Sequence, residues 1–63
     1  MTHLEILALR KSLGLTQAEM AERLGVNAQT VYQWEAGRRS PTGLYLKALR
    51  RLADEHDHAH IAL

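Results

Sequence analysis

The stretch LGLTQAEMAERLGVNAQTVYQWEAGRRSP, residues 13–41, holds two short helix signatures joined by one glycine turn. Thr16 followed three residues later by Glu19 is a capping-box pattern, in which the hydroxyl and the carboxylate satisfy main-chain N–H groups at a helix start. The helix it opens should run through Leu24, where Gly25 supplies the left-handed conformation that a helix end favours. Asn27 is a good N-cap for the next helix, which should reach about Ala36 and stop at Gly37. Met20 and Leu24 lie at i and i+4 on the first of these helices. Val31 and Trp34 lie at i and i+3 on the second, so two apolar faces can meet at a steep angle. So short a turn brings the backbones close, and Ala21 leaves the room this requires.

The same logic extends in both directions. Thr2 with Glu5 repeats the capping box and predicts a first helix ending near Gly14. After the basic loop, Ser40 and Pro41 read as N-cap and first position of a fourth helix, extending through Leu52 or Ala53 with Tyr45, Ala48, Leu49 and Leu52 facing inward. The tail DEHDHAHIAL has no clear period and is expected to be frayed or only briefly helical. Phenylalanine is absent while Leu, Ala, Glu and Arg dominate, a composition that favours helix. The expected fold is all-α: a compact bundle of four or five short helices over residues 1–54, followed by an acidic, histidine-rich tail over 55–63.

Length and charge bound the function. A chain of 63 residues holds one domain, and a domain this small has little stability to spare. With no cysteine, neither disulfides nor thiolate metal sites can staple it. The net charge of +1 conceals an asymmetry: residues 1–53 balance at +4 and residues 54–63 at −3. No apolar run reaches bilayer length, and the N-terminus lacks the layout of a secretory signal, so a cytoplasmic protein without a membrane partner is expected. No glycine-rich phosphate loop, Ser/His/Asp set or pair of inward carboxylates can be placed. The expectation is a non-enzyme with no cofactor.

Residues 13–41, from LTQAEMA through the Gly25 turn to WEAG and Pro41, resemble the Cro/repressor-like, or XRE, family of helix-turn-helix proteins. The resemblance implies a lambda-repressor-like fold whose third helix enters the DNA major groove while the second lies across the backbone. Periodicity agrees with that role: at about 100° per residue, Ala28, Gln29, Tyr32, Gln33 and Ala36 share one arc, opposite Val31 and Trp34. Gln29 and Gln33 offer the paired donor and acceptor that suit adenine, and Ala28 an apolar contact for a thymine methyl. Tyr32 could meet a base with its ring or a phosphate with its hydroxyl. Ala28, Gln29, Tyr32 and Gln33 are therefore the candidate base readers.

Phosphate contacts are expected from helix starts at Gln17 and Asn27, from Thr30 at the edge of the same face, and from Arg38 and Arg39, where family members carry basic residues. The resemblance also implies that Glu35 pairs with Arg10 rather than facing DNA. Arg10, Glu35, Ala21, Gly25 and Trp34 are thus assigned to structural support.

Lys47, Arg50 and Arg51 read as a solvated helix face. His56, His58 and His60 alternate in a way that would align only on a strand, so no metal site is expected. Altogether the sequence points to a transcriptional regulator, a repressor that binds double-stranded DNA as a homodimer on an inverted-repeat operator. The segment GRRSPTGLYLKALRRLA also resembles short antitoxins of this family, which repress their own operon and cap a toxin protein. That is the alternative reading.

Overall fold

The computed structural model describes the backbone of residues 1–61 and the side chains of residues 1–57. Four helices follow in order: α1 (His3–Ser12), α2 (Gln17–Leu24), α3 (Ala28–Glu35) and α4 (Gly43–Ile61). No strand occurs among the described residues.

Each of the first three helices begins where a side chain can accept from its first turn. The Thr2 hydroxyl accepts from the Glu5 amide at 3.2 Å while the Glu5 carboxylate accepts from the Thr2 amide at 2.7 Å. Thr16 and Glu19 repeat this arrangement at 3.1 and 2.8 Å. At α3 the Asn27 side chain accepts from the Thr30 amide at 2.9 Å. Gly25 ends α2 at φ 74°, and the next amide, that of Val26, returns to the Ala21 carbonyl at 3.0 Å. A β-carbon would strain that left-handed turn, whose geometry fixes the angle between α2 and α3.

The core is small and shared by all four helices. Ile6, Met20, Ala21, Val31, Trp34 and Leu49 are buried, and Met1, Leu9, Leu15, Leu24, Val26, Tyr45 and Leu52 cover them. Trp34 leans on Tyr45 with ring centroids 5.7 Å apart and planes tilted by 47°, within the range where aromatic pairs attract. Of the expected inward face of α4, Leu49 is fully buried, whereas Tyr45, Ala48 and Leu52 are half-buried.

Both ends of α4 differ from expectation. The helix starts at Gly43 rather than at Pro41, and its first i to i−4 bond runs from the Leu46 amide to the Thr42 carbonyl at 2.8 Å. Ser40 and Pro41 stay outside the helix, where they line a crevice with Met1, Ile6 and Trp34. The residue before a proline is pushed away from helical geometry, so Ser40 does not serve as the helix start and α4 begins only at Gly43. At the other end, α4 does not stop at Leu52 or Ala53 but continues through residue 61. The segment after Leu52 contains neither glycine nor proline. Without a stop signal, the helix passes straight through the change from basic to acidic composition. It is 19 residues long, which gives the molecule its extents of 36 × 21 × 20 Å.

The two capping boxes make stability acid-sensitive. The carboxyls of Glu5 and Glu19 titrate below the ordinary value near 4.5, chiefly because each accepts from a main-chain N–H, that of Thr2 and of Thr16 respectively. A depressed folded-state value stabilises the fold above the unfolded-state value, and that contribution is lost as pH falls through the folded-state value. In Glu5→Gln/Glu19→Gln the amides preserve the geometry without titrating. Thermal melts between pH 6 and about pH 3 should therefore show a shallower acid decline in the double variant than in the wild type, and identical slopes would exclude the boxes as its source.

Candidate nucleic-acid interface

Arg10 on α1, Gln17 on α2 and Glu35 at the end of α3 meet in one hydrogen-bonded cluster. The Arg10 guanidinium donates from Nε to Glu35 Oε2 at 2.7 Å and from Nη2 to Oε1 at 3.0 Å. Its Nη1 donates to the Leu15 carbonyl at 2.9 Å, and Gln17 Nε2 donates to Glu35 Oε1 at 3.1 Å. The side chains of Arg10 and Glu35 are only 15% and 6% exposed. The fork matches a carboxylate on two parallel bonds, a geometry that fixes orientation as well as distance. The bonded carboxylate raises the Arg10 value above its ordinary one, against an opposing effect of burial. No buried side-chain nitrogen or oxygen among the described residues lacks a partner.

With Glu35 held from behind, α3 buries Val31 and Trp34 and turns its other side outward. Ala28, Gln29 and Ala36 are exposed, and Tyr32 is 43% exposed despite its size. Gln33 is half-buried, and its main-chain carbonyl accepts from the amides of Arg38 and Arg39 at 3.0 and 3.3 Å. That turn includes Gly37 at φ 75° and leaves both arginines exposed directly beyond the helix.

The candidate phosphate contacts divide into two kinds. Asn27 is exposed, and its Oδ1 accepts from both the amide and the hydroxyl of Thr30, each at 2.9 Å. Its amide –NH2 thereby points away from the cap with both donors available. Gln17 is half-buried, and its side-chain nitrogen is turned inward to Glu35. What it can offer an anion is the main-chain N–H at the first position of α2, ahead of the i to i−4 pattern. The bond between Gln17 and Glu35 was not foreseen from the sequence. A polar residue at the start of α2 could have faced either way, and only the crossing of α2 over the end of α3 decides.

A buried brace behind an exposed polar arc, with basic residues at its end, defines a helix-turn-helix module. Comparison with known proteins places it further. The family model described as helix-turn-helix matches residues 6–54. A relative from Methanothermobacter thermautotrophicus, described as an uncharacterized HTH-type transcriptional regulator, is 50% identical over 48 residues, covering 75% of this chain and 70% of its own. No solved structure gives a significant match. The chain belongs to the helix-turn-helix family of the XRE type, which comprises DNA-binding transcription regulators rather than enzymes. No helix among the described residues is long and apolar enough to cross a membrane.

Removing the positive end of the brace should damage the fold before it damages chemistry. Arg10→Met leaves the Glu35 carboxylate buried without its charged partner, a change that costs about 3 kcal/mol or more in comparable sites. In a domain of this size a loss of that order lowers Tm by roughly 10 °C or more. Calorimetry of the variant measures it, and a melt superimposable on the wild type would show that the pair contributes no net stability.

Proposed function

We propose that the protein is a transcriptional repressor that binds an inverted-repeat operator as a homodimer, with α3 in the major groove of each half-site. The observation that carries this reading is the division of α3. One side is committed to the core through Val31 and Trp34, while Ala28, Gln29, Tyr32 and Ala36 remain exposed on the other.

Gln29 and Gln33 are the proposed adenine readers, since each carboxamide oxygen can accept from the exocyclic N6 amine while its –NH2 donates to N7. Ala28 lies at the first turn, where a close approach to a thymine methyl needs a small side chain. Tyr32 supplies ring or hydroxyl from the centre of the arc. Asn27, Thr30, Arg38, Arg39 and the main chain at Gln17 bracket the arc as phosphate contacts, which set the helix in register without reading sequence.

One such helix touches only a few base pairs, too few to select a unique site. Two copies related by a two-fold axis place their recognition helices one turn of DNA apart, roughly 34 Å, with half-site centres about ten base pairs apart. Repression needs nothing beyond occupancy of such an operator.

Selection from a random DNA library supplies the operator on which the reading is tested. Light scattering of the complex should report two chains per repeat. Gln29→Ala and Gln33→Ala should each weaken operator binding by about 1–3 kcal/mol with little change in Tm and in affinity for scrambled DNA. Equal losses on both DNAs would remove these two side chains from the reading surface.

A further inference from the structure

The hydroxyl of Thr30 makes a bond that its place at the edge of the reading arc did not suggest. It donates to Asn27 Oδ1 at 2.9 Å, and the main-chain N–H of the same residue donates to the same oxygen, also at 2.9 Å. A threonine hydroxyl carries a single hydrogen, and here that hydrogen is committed inside the protein. Thr30 is half-buried while Asn27 is exposed. With both of its donors engaged, Thr30 has none left for a phosphate oxygen, so what its hydroxyl adds to the interface passes through Asn27.

A carboxamide has two ends of nearly equal size, an acceptor oxygen and a donor –NH2. One bond from the Thr30 amide turns the oxygen toward the helix but leaves the plane of the group free to swing about that bond. A second donor closing on the same oxygen fixes the plane. It also penalises turning the group over, which would set –NH2 against an N–H and an O–H. The third residues of α1 and α2 act differently, since Glu5 and Glu19 accept from the main chain of their caps. Thr30, third in α3, donates to the side chain of its cap instead.

We propose that Thr30 is a positioning residue for DNA binding, whose hydroxyl locks the Asn27 carboxamide with both N–H donors aimed at a backbone phosphate. The group is ordered before DNA arrives, so binding does not bear the entropy of freezing it. It is also donor-only. With its oxygen held by Thr30, Asn27 lacks the acceptor that an adenine contact requires, and it grips the backbone without reading sequence. This inference rests on the reading of Asn27 as a phosphate contact and narrows the part that Thr30 plays beside it.

A double-mutant cycle tests it. Thr30→Val exchanges the hydroxyl for a methyl of the same shape and keeps the main-chain bond, Thr30→Ser keeps the hydroxyl, and Asn27→Gly removes the carboxamide at little cost to the helix start. Affinities are measured on the selected operator and on scrambled DNA. Thr30→Val should lose about fivefold on both, a typical coupling for side chains in contact, and Thr30→Ser should match the wild type. In the Asn27→Gly background, Thr30→Val should cost nothing further. Nitrogen relaxation of the free proteins should show the Asn27 side-chain amide rigid in wild type and Thr30→Ser but mobile in Thr30→Val, a change that a merely structural role would not produce. Wild-type affinity in Thr30→Val, an equal loss from it in both backgrounds, or an Asn27 amide as rigid as before would overturn the positioning role and leave the phosphate contact standing. Asn27→Gly binding both DNAs like wild type would remove the contact itself, and the proposal with it.

Discussion

The bidentate contact between Arg10 and Glu35 is the constraint on which the rest of the molecule depends. Three helices of eight to ten residues each are too short to hold their own crossing angles, since isolated helices of that length are marginal in water. The apolar core brings them together but has few residues and no direction. The guanidinium supplies direction: it reaches from α1 to the last residue of α3 and, through the Leu15 carbonyl, also ties the loop that leads into α2. Gln17 adds the start of α2 to the same carboxylate. The angle at which α3 is presented is therefore set at one end by a left-handed glycine and at the other by a charged fork.

That arrangement separates stability from recognition. Side chains that hold α3 in place, Val31, Trp34 and Glu35, alternate along the helix with side chains that hold nothing, Gln29 and Tyr32 among them. A substitution on the outward arc meets solvent rather than core, so such surface changes shift stability little. Asn27 serves both sides at once, because the oxygen of its carboxamide caps the helix and the nitrogen is left to face outward.

Much of this was legible in the sequence where the physics is local. A hydroxyl, two residues and then a glutamate specify a helix start by hydrogen-bond geometry alone, and Gly25 specifies a reversal by its missing β-carbon. The outward arc of α3 followed from the helical period, with Gln33 proving more covered than Gln29. The pairing of Arg10 with Glu35, 25 residues apart, is not a local matter, and the expectation of it came from family resemblance. Nothing near Gln17 in sequence reveals that a carboxylate from α3 lies beside it and turns its side chain inward. The fourth helix departs from its local sequence signals at both ends. Ser40 and Pro41 form a good helix-start pair in isolation but are claimed by the crevice beside Trp34, and a tail without apolar period can still coil when nothing in it breaks a helix. Ile6, fully buried in α1, was not singled out, since α1 has only a weak apolar stripe and burial there depends on where α3 and α4 lie.

The contact between Trp34 and Tyr45 has a practical side. Trp34 is the sole tryptophan of the chain, it is 3% exposed, and it sits on the helix that carries the reading arc while facing away from it. The molecule thus contains a built-in optical gauge: indole emission reports the seating of α3 on α4, through an aromatic neighbour 5.7 Å away, and is shielded from direct quenching by bases. Light from this one ring can follow the integrity of the scaffold while DNA is present, without a dye and without altering any residue of the arc.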